Sequence, residues 1–150
     1  MSNIEKTLSI IKPDAVERNL SEEIKEHFKN SGFKILKEKK LKIEKSDAEK
    51  FYEVHQTKPF YNDLCEYLSS GTIVVMVLEK ENAVIDNRNL MGATNPSEAK
   101  EGTLRKKYGL SIDKNSVHGS DSVENGKIEI SFFFIIQRFG YHFKKSIQGG

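Results

Sequence analysis

The stretch T-I-V-V-M-V-L at 72–78 is a near-continuous apolar run, the pattern of a central β-strand covered on at least one face. Just before it, Ser70-Gly71 stops a helix that Pro59 opens and that carries Phe60, Leu64 and Leu68 one turn apart. Earlier still, Ser46-Asp47-Ala48-Glu49 reads as the N-cap signature of a helix carrying Phe51, Tyr52 and Val54. Phe33 to Ile43 is a second strand: Phe33, Ile35, Leu41 and Ile43 take alternate positions, and lysines fill most of the rest as a wet face. Ser21, with Glu22 and Glu23 in the first turn, opens an amphipathic helix with Ile24 and Phe28 inward, closed by Ser31-Gly32. Thr7 to Ile11 is a short strand that Lys12-Pro13 stops, because proline cannot continue a central ladder.

On the other side of the apolar run, Asn82 caps a helix through Met91, which Gly92 ends. Asn95-Pro96 and Gly102 bracket a loop, and Thr103 caps a short helix, Leu104 to Tyr108. Val117-His118 is a short strand. Asp121 and Glu124 make a capping-box-like start to a last helix reaching about Phe134. Single strands repeatedly interrupted by helices fit an α+β sandwich, one sheet covered by helices, with the split βαβ arrangement among the candidates.

Length and charge narrow the function. With 150 residues and 37% hydrophobic content, the chain suits one globular domain. The net charge of +2 is too small to argue for a nucleic-acid partner. Cys65 has no second cysteine to pair with, and the start M-S-N-I-E-K-T-L-S-I-I-K lacks the pattern of a secretory signal, so a reducing, cytoplasmic setting is expected. Phe132 to Ile136 is among the longest apolar runs, far short of the roughly 20 residues a membrane helix needs.

Chemistry concentrates in N-S-V-H-G-S-D-S at 115–122. A neutral imidazole with one nitrogen held by an acceptor can attack phosphorus through the other. His118 precedes a helix start, where unpaired N–H groups favour an anion. Gly119 removes bulk beside it, and Glu129, two turns into the helix, can return to orient its second nitrogen. The alternative is a structural histidine beside an ordinary cap. Arg88, Thr94 and Arg105 are equipment for holding a polyphosphate, with Lys12 at a strand end adding a charge; taken singly, Arg88 and Arg105 read as solvated helix charges, the commoner fate of a lone arginine. Phe60 either stacks on a base or joins the core, and Leu64 and Ile112 are equally open. Tyr52 presents its hydroxyl to a phosphate or packs with Phe51. No histidine cluster has metal spacing.

Six segments together resemble the nucleoside diphosphate kinase family from about Thr7 to Phe134. They are T-L-S-I-I-K-P-D-A-V (7–16), F-Y-E-V-H (51–55), K-P-F-Y-N-D-L (58–64), N-R-N-L-M-G-A-T-N-P (87–96), E-G-T-L-R (101–105) and N-S-V-H-G-S-D-S (115–122). The resemblance implies a ferredoxin-like fold with a four-stranded antiparallel sheet. It implies an enzyme that moves the γ-phosphate of a nucleoside triphosphate, mainly ATP, to a nucleoside diphosphate through a phosphohistidine at His118. Glu129 and Ser120 would position that histidine, and Lys12 and Tyr52 would engage the transferring phosphate and the sugar hydroxyl. Asn115 would also hold the sugar, Arg88, Thr94 and Arg105 the phosphates, and Phe60, Leu64 and Ile112 the base. Magnesium would ride on the nucleotide phosphates, with no protein cage. The assembly would be a homo-oligomer, hexamer or tetramer. The ending from about 135 departs from the family's typical one and bears on subunit contacts. The competing class, a non-catalytic nucleotide or nucleic-acid binding module, would have lost the histidine or an arginine, and neither is lost.

Overall fold

A computed structural model describes residues 3–136. The apolar run sits within β3 (Ile73–Glu81), hydrogen-bonded on one side to β1 (Ile4–Ile11) and on the other to β2 (Lys34–Leu41). Ile73 to Leu78 are all buried, so no polar alternation is left in the sequence. β4 (Val117–Gly119) flanks β1, giving the order β2-β3-β1-β4 with every neighbouring pair antiparallel. α2 (Ser21–Asn30) links β1 to β2 and α5 (Ala83–Met91) links β3 to β4. β1 and β2 therefore run parallel with β3 inserted between them, the ferredoxin-like split βαβ arrangement.

Both faces of the sheet are covered. On one, Val74, Met76 and Leu78 pack on Ile24 and Phe28 of α2 and on Ala83 and Met91 of α5, with Leu104 and Tyr108 of α6 (Leu104–Tyr108) closing the end. On the other, Leu8, Ile10 and Val75 pack on Ala48 of α3 (Lys45–Phe51) and on Cys65 and Leu68 of α4 (Tyr61–Leu68). Phe133 joins them from a π-helical turn, Phe132–Ile136, that continues α7 (Val123–Ser131). Fully burying Phe28 or Phe133 contributes on the order of 2–3 kcal/mol each relative to leaving it exposed.

Several local expectations are corrected. The alternating residues of β2 do not share one face, because a bulge between Ile35 and Lys37 shifts the register against β3. Phe33 and Ile35 pack on the α2 face, while Leu41 and Ile43 pack on the α4 face. One inserted residue inverts every side chain after it. α1 (Pro13–Glu17) follows β1 directly: proline ends the strand but suits the first turn of a helix. α3 starts at Lys45 with Glu44 as its cap, and the Glu44 N–H donates to the Asp47 carboxylate at 3.0 Å. It ends at Phe51, which leaves Tyr52 at its C-cap and Val54 exposed. α4 begins at Tyr61, two residues after Pro59. Asn82 does stand before α5, but in a left-handed conformation without capping by its side chain; Glu5 of β1 takes the Val84 N–H instead at 3.1 Å. Ser122, not Asp121, caps α7, accepting from Asn125 N at 3.0 Å.

Candidate active site

β4 is short, yet its pairing decides where the chemistry stands. His118 lies opposite Ile10, so its ring projects from the α4 and α7 face of the sheet. There Glu129, in the second turn of α7, returns to meet it: Oε1 is 3.0 Å from His118 Nε2 and accepts from the Ser120 hydroxyl at 2.8 Å. Ser120 is fixed in turn by β1, its N–H donating to Leu8 O at 3.1 Å and its Oγ accepting from Leu8 N at 3.2 Å. An ionised carboxylate only accepts, so Nε2 carries the hydrogen and Nδ1 keeps its lone pair. The link from His118 to α7 therefore runs through Glu129; the first-turn N–H of Asn125 is taken by Ser122 Oγ. Phe51 sets its ring edge-on to the imidazole, centroids 5.3 Å apart.

A cationic group lies beside this pair. Lys12 is buried, with its ammonium 2.9 Å from Asn115 Oδ1; burial, then the nearby Arg105 charge, brings it down to about 8, against the pull of Asp14 and Asp113. Arg105 donates to the carbonyls of Gly92 at 2.9 Å and Val117 at 2.8 Å, and burial followed by Arg88 lowers it to about 10. Its Nε is buried without a partner. Arg88 and Thr94 are exposed, and the Thr94 carbonyl accepts from Asn115 Nδ2 at 3.0 Å. Tyr52 is buried, and burial, then Glu129, pushes its hydroxyl up, so it stays a neutral donor.

A histidine with one ring nitrogen held, on a strand whose Val117 carbonyl takes Arg105 and just after the Asn115 that takes Lys12, has the parts that phosphoryl transfer needs. A family model described as nucleoside diphosphate kinase matches residues 5–139. The chain belongs to that family. A nucleoside diphosphate kinase of Persephonella marina is 56% identical over 132 residues, covering 88% of this chain and 94% of its own. One from a Nitratiruptor species is 57% identical over 131 residues, covering 87% and 96%. Among solved structures, the nucleoside diphosphate kinase of Aquifex aeolicus superposes with a TM-score of 0.86 at 37% identity, covering 91% of this chain and 99% of that one. The one from Halobacterium salinarum, solved in complex with CDP, gives 0.84 at 35% identity, covering 87% and 88%. The enzyme is thus a nucleotide phosphotransferase.

The residues left open in the sequence separate in the structure. Phe60 and Ile112 are 45% and 55% exposed, outside the core, whereas Leu64 is half-buried against the α4-side cluster. Tyr52 packs edge-on with Phe51, centroids 5.0 Å apart. Gly119 serves the opposite side from His118. A Cβ there would lie 2.3 Å from Asn87 Nδ2 and 2.8 Å from Met91 Cε, so it permits the close approach of α5 and not of a phosphate. Sequence reasoning missed two neighbours of the site, Phe51 beside His118 and His55, whose ring lies between Tyr52 at 6.3 Å and Phe60 at 5.9 Å. The segment 51–55 carries the family resemblance, but nothing local in it sets Phe51 against His118; the closing of α3 onto β4 does.

Proposed function

We propose that this kinase works by a ping-pong route through a phosphohistidine at His118, with ATP as the main donor. The 3.0 Å contact between His118 Nε2 and Glu129 carries the reading, because it holds the tautomer in which Nδ1 is the nucleophile. Nδ1 attacks the γ-phosphorus, a nitrogen–phosphorus bond forms, and the bond to the bridging oxygen breaks to release the diphosphate. No proton has to move: the Nε2 hydrogen stays, and the charge the ring gains faces Glu129, itself held by Ser120. The reverse step passes the phosphoryl group to a second nucleoside diphosphate. Lys12, Arg88 and Arg105 spread the charge of a loose transition state, and Thr94 holds the phosphates. Tyr52 and Asn115 engage the transferring phosphate and the sugar. Phe60, with Leu64 and Ile112, receives the base. Stacking reads only a π-face, so purines and pyrimidines should serve alike.

Among the described residues no three His, Cys, Asp or Glu side chains converge as a metal cage. We expect magnesium to arrive on the nucleotide phosphates and to neutralise their charge. We place the enzyme in the cytoplasm as one catalytic domain with a tail of its own from about 135; no described helix is long and apolar enough to cross a membrane. The test is labelling with ATP and magnesium in the absence of any acceptor. The protein should acquire a label that is lost in mild acid, survives base and vanishes in His118→Ala. Acid-stable label on Ser120 or Ser122, or undiminished exchange by His118→Ala, contradicts the mechanism.

A further inference from the structure

We propose that Asp14 is a positioning residue for phosphoryl transfer: through Tyr67, Arg18 and Ser116 it holds the turn that presents Lys12 and Asn115 to the nucleotide. This rests on the role given above to Lys12 and Asn115. Asp14 is buried, and its carboxylate takes three donors: the Tyr67 hydroxyl, the Ser116 hydroxyl at 2.7 Å and Arg18 Nη2 at 3.0 Å. Its backbone N–H donates to the Tyr67 oxygen at 2.8 Å. Arg18 also donates to the Tyr108 carbonyl at 2.7 Å. Three stretches therefore meet on one carboxylate, α1 with its cap Arg18, α4 and the residue before β4, and Arg18 ties the end of α6 to them.

Ser116 is where that convergence is needed. It is fully buried with φ at 74°, a conformation that a residue bearing a side chain rarely holds unless its surroundings impose it. In that conformation its carbonyl accepts from Lys12 N at 2.8 Å. Next to it, Asn115 takes the Lys12 ammonium on Oδ1 at 2.9 Å and donates from Nδ2 to the Thr94 carbonyl at 3.0 Å. Asp14 stands two residues after Lys12 and bonds the residue after Asn115, so it fixes both ends of the Lys12–Asn115 pair. Asp14 also acts through charge. With Asp113 of the preceding loop it supports the Lys12 ammonium, which burial and Arg105 of α6 oppose.

The experiment compares the full-length enzyme with Asp14→Asn, Ser116→Ala and Lys12→Ala, measuring kcat/KM for phosphorylation of a nucleoside diphosphate by ATP against pH, together with thermal unfolding. In Asp14→Asn the alkaline limb of the profile should move to lower pH, because a negative charge beside Lys12 has gone. Its kcat/KM near neutral pH should fall roughly tenfold, the scale of one lost charge-assisted hydrogen bond. Ser116→Ala keeps the charge and removes one donor, so it should lose kcat/KM several-fold with the limb in place; it carries the test if Asp14→Asn does not fold. A loss of thermal stability with kcat/KM and the limb unchanged in Asp14→Asn, or wild-type kcat/KM in Ser116→Ala, overturns the proposal. Wild-type turnover by Lys12→Ala would instead show that the role given to Lys12 is what failed.

Discussion

Glu129 meets His118 through Nε2 and leaves Nδ1 outside that contact, so its charge matters more than its shape. Glu129→Gln can still accept the Nε2 hydrogen but cannot balance the charge on a phosphorylated ring. Phosphohistidine formation, followed by rapid quench, should slow by roughly 100-fold. Phe60 is exposed and outside the core. Phe60→Ala should leave thermal stability nearly unchanged and weaken nucleotide binding by about 1–3 kcal/mol in calorimetry. Lys12 supplies a pH dependence whose sign can be worked out. Its ammonium falls to about 8 in the fold from an ordinary 10.5, so the charge we propose to grip a phosphate is lost as pH rises through about 8, and kcat/KM should decline there. Stability moves the other way. Burying the charged form is a cost present below pH 8 and relieved between about 8 and 10.5, where the unfolded chain binds the extra proton.

The elements aim these residues through a few contacts that can be cut. The Asp47 carboxylate closes the start of α3, the helix that ends at Phe51 beside His118. Asp47→Ala should cost about 1 kcal/mol, read as a Tm lower by roughly 2–4 °C, with a smaller effect on kcat. Gly119 sets the spacing between β4 and α5. Gly119→Ala must displace Asn87 or Met91 and should destabilise by about 1–3 kcal/mol, while disturbing the strand that carries His118. Neither helix nor strand is strained by its own sequence at these points; the constraint comes from what each is packed against.

For the molecule as a whole, the exposed apolar side chains point to assembly. Ile4, Val123 and Ile130 line one cleft, and Ile4 and Ile128 are 57% and 62% exposed. We expect a homo-oligomer, hexamer or tetramer, by light scattering; a monomer at micromolar concentration would count against it. The expectation about the ending falls mostly on residues 137–150, outside the described ones. Every proposed site residue precedes the π-helical turn. Truncation after Gln137 should therefore leave phosphoryl transfer within several-fold of the full chain, and a collapse of activity in a folded, oligomeric truncation would show that the tail completes the site.

The elements and the identity of the chemistry were legible along the chain. The apolar run at 72–78 marked the central strand, the spacing of Ile24 and Phe28 marked the inward face of α2, and the segment 115–122 pointed to the histidine that we propose as nucleophile. These are local properties: periodicity, turn residues and the donor or acceptor character of a side chain all act within a few residues. The tertiary structure alone decided which face β2 presents after its bulge, that Gly119 serves α5 and not the phosphate, and that Phe51 and Asp14 stand behind the site. Each depends on residues tens of positions apart meeting at van der Waals or hydrogen-bond distance. A register shift of one residue or a shared buried carboxylate leaves no period in the sequence to read.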